Sequence, residues 1–273
     1  MKKMKENYPI NLLTNCFFLF SDLNPKISLS AYSEENIKKV KDKSEQIDFD
    51  SEMDKYANFI PNEIKEMLVR GYATTLIMYF TLIKYKKISD ENKDKYLFIL
   101  LLLFSVGSKN SQGEIEKFWK KFKDAKEESI NFNALCAYFN ENIDSVIEKN
   151  LKTQRETLQK LILFFLMKNE NVGTNYEFDH LDHLMPKSLF FEKENVDLIG
   201  NKQLLYSKWN QNKSNKDLND YMASNSEMFF YCDPYSGERE NAIKNKKYLA
   251  ENFDEFYEKR IKLLRKKLIE YFE

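Results

Sequence analysis

The chain has 273 residues, 42% hydrophobic and 15% aromatic, enough for one large domain or two modest ones with a sizeable core. Six Gly and five Pro are too few for a strand-and-turn architecture, so long helices are expected. The 43 basic residues are balanced by 43 acidic ones, which excludes a globally basic nucleic-acid binder; any grip on phosphate must come from a local patch.

Cys16, Cys136 and Cys232 are odd in number and include no C-x-x-C pair. That pattern excludes a zinc ribbon and a disulfide framework and makes a reducing cytoplasm the default setting. Lys2, Lys3 and Lys5 precede the apolar stretch from Cys16 to Phe20, but Asn11, Thr14 and Asn15 interrupt it, so a buried segment is expected and not a signal peptide. The most apolar run, Leu97 to Val106, has 10 residues. A membrane span needs about 20, so no membrane partner is expected.

Along the chain, Ser33 to Gln46 reads as a charged helix. From Asn62 to Lys87 apolar residues recur at helical spacing behind Pro61, which suits a helix start. A helix from Glu91 to Val106 is apolar nearly all round in its second half and should be central, with Gly107-Ser108 as its stop. Gly113 to Lys126, Asn133 to Glu148 and Thr153 to Lys168 continue the helical pattern. The texture changes at Asn169, followed by turn chemistry over Asn171 to Asn175. Tyr176 to Asp182 alternates as a short strand does, Val196 to Leu205 carries a second apolar run for another strand, and Ser207 to Asp217 reads as a short helix. Helix returns from about Glu240 and ends with Phe253 to Phe272. The expected division is a helical domain over 1–172 and a second domain over 173–273.

Chemistry concentrates in Asp182-His-Leu-Met-Pro-Lys-Ser188, Ile199-Gly-Asn-Lys-Gln-Leu204 and Trp209-Asn-Gln-Asn-Lys-Ser214. The only two histidines, His180 and His183, fall in this window. Phosphodiester hydrolysis needs a base for water and a cation for the charge on phosphate and leaving oxygen. His183, at a strand end stopped by Pro186, suits the first task. Asp182 and Asn210 are oxygen donors that suit hard Mg²⁺ or Mn²⁺ with several retained waters. Lys213 and Ser214 share the face of Asn210 and, with Lys187, are candidates for phosphate contact. His180 could be an extra ligand or a phosphate contact, but is read as a partly buried strand residue bonded to a carboxylate such as Asp179 or Glu177.

These elements resemble the ββα-metal motif of HNH nucleases. D-H-x-x-P-x-S, then I-x-N-K-x-L, then an Asn nine residues after Asn201 are similar to the version in the HNH domain of RNA-guided CRISPR effectors. The resemblance implies that Asp182 and Asn210 hold the metal, His183 is the general base, and Asn201 holds the loop and helps orient the base. Gly200-Asn-Lys-Gln-Leu-Leu205 and Phe253 to Arg260 are closer to the C-terminal nuclease half of GmrSD-type restriction enzymes, over residues 150 to 273. The implied fold is mainly α: an N-terminal helical bundle, a small ββα-metal HNH module and C-terminal helices. The implied activity is metal-dependent DNA cleavage in bacterial or phage-related defence. The D-G-Q-Q-R nucleotide motif of those enzymes is absent, which leaves room for a separate NTPase or specificity subunit. A homodimer would serve double-strand cutting. Two other readings stand beside this one: a non-catalytic nucleic-acid-binding or assembly subunit on the same scaffold, and an RNA-cleaving toxin. The basic cluster Lys259, Arg260, Lys262, Arg265, Lys266 and Lys267 is read as a solvated helix face.

Overall fold

A computed structural model describes residues 10–26, 31–48, 51, 71–85, 88–106, 112–126, 129–170, 180–189, 193–205, 213, 216–224 and 231–273. They are mainly α-helical and divide into two compact units, 1–143 and 144–273. The sequence places the division at 172/173. In the structure the helices at 143–151 and 156–169 begin the second unit, because the latter packs on the small sheet and the C-terminal helix.

The first unit contains helices α1 (Ile10–Phe20), α2 (Glu34–Gln46), α3 (Gly71–Lys84), α4 (Lys93–Val106), α5 (Gln112–Lys123) and α6 (Phe132–Tyr138). Leu12, Cys16 and Leu19 of α1 are buried at helical spacing, as a buried segment requires. Ser33 caps α2 by accepting the Asn36 N–H, and Glu34 and Glu35 follow in the first turn, where the helix dipole favours negative charge. Every residue from Leu97 to Leu103 of α4 is buried, which matches a stretch apolar on all sides. Helix α3, equally apolar, packs against α1, α4 and α5. The expected start of that helix, 62–70, lies outside the described residues.

One expected helix, 133–148, is two. Helix α6 ends at Tyr138, and Asn140 takes a left-handed conformation (φ 58°) before α7 (Ile143–Leu151) begins. Asn tolerates that region better than most residues, so a turn interrupts an otherwise helical pattern.

The second unit continues with α8 (Glu156–Asn169), strands β1 (His180–His183) and β2 (Lys202–Leu205), and helices α9 (Leu218–Ser224), α10 (Arg239–Lys244) and α11 (Phe253–Phe272). The strands pair antiparallel, with His180 opposite Leu205, Asp182 opposite Gln203 and His183 opposite Lys202. Two short strands are marginal by themselves; here α8 packs on β2 and α11 on the short helical turn 199–201. All four residues of β2 are buried, Lys202 and Gln203 included. The core joins Leu184, Met185 and Leu205 to Leu218, Tyr221 and Met222 of α9, to Tyr235 and Tyr248, and to Phe253, Phe256 and Tyr257 of α11. The continuous helix expected from Glu240 is broken by turns over 245–252, where Lys246 has a positive φ of 57°. Expected strand residues 176–179 and most of the expected helix 207–217 lie outside the described residues. No helix among the described residues is long and apolar enough to cross a membrane, and all three cysteines are free thiols.

Candidate active site

Strand β1 ends at His183 because the chain turns at once onto the opposite loop. The Leu184 N–H donates to Asn201 O at 2.8 Å, and Pro186 has no N–H with which to continue a ladder. Asn201 is wholly buried and its carboxamide knits three backbone groups: Oδ1 accepts from Met185 N, and Nδ2 donates to Met185 O and Val196 O. It therefore holds the loop, as expected, while its amide atoms are all turned to the backbone. Its side chain makes no hydrogen bond to His183.

The turn before Asn201 is anchored from α11. Arg260 is fully buried and donates to Ile199 O, Gly200 O, Tyr231 O and Gln203 Oε1. Burial draws its guanidinium down to about 10, still charged at neutral pH. Gly200 is required by close approach: a Cβ there would overlap the Tyr257 ring.

His183 faces a carboxylate absent from the sequence-based site. Its Nε2 lies 2.9 Å from Asp197 Oδ1, and Asp197 Oδ2 accepts from Lys187 Nζ at 2.6 Å. The His183 side chain is 19% exposed. Burial pushes the imidazole below its ordinary value, against the opposing pull of Asp197. The Lys187 ammonium holds the Asp197 carboxyl below the usual carboxylate range, so it is ionised. Lys202, directly across the sheet from His183, is buried and approaches Glu156 of α8 at 3.6 Å and Asp197 at 4.0 Å. Burial draws its ammonium below the ordinary lysine value, and both carboxylates oppose that shift. Lys187, expected to meet phosphate, is thus tied to Asp197 while remaining largely exposed.

Asp182 meets a second buried lysine. Lys213, 1% exposed, donates to Asp182 Oδ2 at 2.9 Å and to His183 O. The expectation that Lys213 grips phosphate is corrected: a buried ammonium must be compensated locally, and Asp182 with the strand-end carbonyl does this. Asn210 and Ser214 lie outside the described residues. No group of three or more His, Cys, Asp or Glu side chains among the described residues is arranged to hold a metal. Of the two expected oxygen ligands, Asp182 is described, and its Oδ2 accepts from the Lys213 ammonium.

The sequence placed Asp182 and His183 correctly at one strand end and Asn201 beside them. It missed the network of Asp197, Lys202 and Glu156 beside His183, and separately the inward turn of Arg260, because acidic and basic residues in a charge-rich chain look like solvated surface. Only the burial of β2 could single out Lys202. His180 is exposed, whereas Asp179 and Glu177 lie outside the described residues. The basic stretch of α11 is largely paired: Lys259 with Glu255, Arg265 with Asp144, Lys266 with Glu270 and Lys267 with Glu170 and Glu270. Arg260 differs from these in turning inward. No family model, curated protein or solved structure matches this chain.

Proposed function

We propose that the chain is a metal-dependent HNH endonuclease that hydrolyses phosphodiester bonds of DNA, in a bacterial defence or restriction setting. The observation that carries this reading is a half-buried imidazole at a strand end, oriented by an ionised carboxylate and adjacent to a carboxylate ligand candidate. His183 accepts a proton from the attacking water as its oxygen bonds phosphorus. The bond from phosphorus to one ester oxygen breaks, and that oxygen takes a proton from solvent. The imidazolium then releases its proton to solvent. A base with a value below the ordinary histidine range is unprotonated at neutral pH, as this task requires. Asp182 and Asn210 would hold Mg²⁺ or Mn²⁺, which supplies neutralisation of charge on the phosphate and leaving oxygen.

Supercoiled plasmid incubated with Mg²⁺ or Mn²⁺ should be nicked, with EDTA abolishing the reaction. His183→Ala should lower the rate by about 100-fold or more. Nicking that survives in His183→Ala would overturn the mechanism.

Lys213 supports a second reading. An ammonium already bonded to Asp182 is compatible with a site that has kept the scaffold and lost the metal, as in a non-catalytic nucleic-acid-binding or assembly subunit. Calorimetric titration with Mn²⁺ separates the two: binding lost in Asp182→Ala favours the nuclease, and no binding by the wild type favours the scaffold. Matched DNA and RNA substrates test for an RNA-cleaving toxin.

A further inference from the structure

We propose that Asp197 is a positioning residue that fixes His183 as the Nε2–H tautomer and presents Nδ1 as the atom that takes the proton from water. The functional half of this assignment rests on the nuclease reading; the tautomer does not. Asp197 comes from the short helical turn Glu194–Asp197, fourteen residues beyond the base and outside every motif that suggested the site.

The geometry fixes the proton. An ionised carboxylate only accepts hydrogen bonds, so the ring nitrogen 2.9 Å from Asp197 Oδ1 must be the one that carries hydrogen. In a neutral imidazole the other nitrogen then holds a bare lone pair. That nitrogen is Nδ1, which accepts no hydrogen bond among the described residues, on a ring that retains solvent access. The carboxylate is itself fixed at its other oxygen by Lys187 at 2.6 Å, and Lys202 stands 4.0 Å from Oδ1. Two lysines thus keep Asp197 charged and in place, and Asp197 keeps the ring from turning over. The base is oriented by a third group in the same way as in the serine-protease triad, with the ring nitrogens exchanged.

Lys187 also makes the test sharp. In Asp197→Asn the ammonium retains the side-chain oxygen, so the amide nitrogen faces His183 and donates to Nε2. The ring should then convert to the Nδ1–H tautomer and lose its free acceptor. The full-length protein, labelled with ¹⁵N, is read by two-bond proton–nitrogen correlation at a pH where the rings are neutral. The chain has only two histidines, so a His180→Gln variant assigns the spectrum. The expected wild-type spectrum shows Nε2 with the shift of a protonated nitrogen and Nδ1 with that of an unprotonated one. Asp197→Asn should exchange the two and slow plasmid nicking by about 100-fold or more, with circular dichroism showing a folded protein. A wild-type Nδ1–H tautomer overturns the proposal without any variant. So does a folded Asp197→Asn protein whose tautomer or nicking rate is unchanged. Wild-type protein with the Nε2–H spectrum and no nicking under any metal supports the Asp197–His183 assignment while overturning the nuclease reading.

Discussion

Asn201 shows how one buried side chain can fasten two stretches of chain. Its three hydrogen bonds tie the chain just after β1 to the chain just before β2, and all three are buried. Asn201→Ala strands Met185 N and O and Val196 O without water. At roughly 1–3 kcal/mol for an unsatisfied buried group, partly relieved by relaxation, a loss of about 2–4 kcal/mol is expected. Urea unfolding monitored by circular dichroism checks this, and a loss under about 1 kcal/mol would remove Asn201 as the loop's fastener. The loop-holding role was implied by the resemblance to the HNH motif, in which Asn201 matches the first Asn. The identity of each partner was not, since an asparagine can satisfy its amide in many ways and only the tertiary fold selects one. Lys213 makes the complementary point. Its charge suggested phosphate, but its burial against Asp182 reverses the role, and burial is not encoded at a single position.

Helix α11 shows the same at the scale of an element. Phe253, Phe256, Tyr257, Arg260, Leu264, Leu268 and Tyr271 are buried along one stripe. The apolar members were visible from their spacing, whereas Arg260 looked like part of a basic cluster. It is buried because α11 packs on the 199–201 turn, whose carbonyls would otherwise lack donors. The same packing brings the Tyr257 ring against Gly200. Gly200→Ala must push that ring aside, and overpacking of this kind costs about 1–3 kcal/mol. A thermal melt of the variant should show the loss, and an unchanged midpoint would mean that helix and turn are less closely packed than described. The break between α6 and α7 was hidden for a related reason: local propensity favours helix on both sides of Asn140, and a single left-handed residue outweighs it.

At the scale of the whole molecule, one core cluster of the second unit joins described residues between Leu184 and Ile261, and α8 packs on β2 and α11 within the same unit. A unit with its own core can fold by itself. Residues 144–273 expressed alone should therefore be helical and unfold cooperatively, as followed by circular dichroism and calorimetry. A fragment starting at 173 should lose that cooperativity, because β2 would lack the α8 layer. Equal melts for the two fragments would overturn the boundary at 143/144.

The sequence by itself determined the helical class, the burial of the Leu97–Leu103 stretch and the strand end at Asp182-His183. Those features are carried by periodicity, by proline and by short-range register, which act within a few residues. Tertiary structure alone decided that Lys213 neutralises Asp182, that Arg260 turns inward and that Asp197 stands against His183 Nε2. Each is a contact between residues distant in the chain, or between a charge and a burial that only packing creates. A charged side chain reads alike in sequence whether it faces water or a partner, and the fold chooses between them by desolvation.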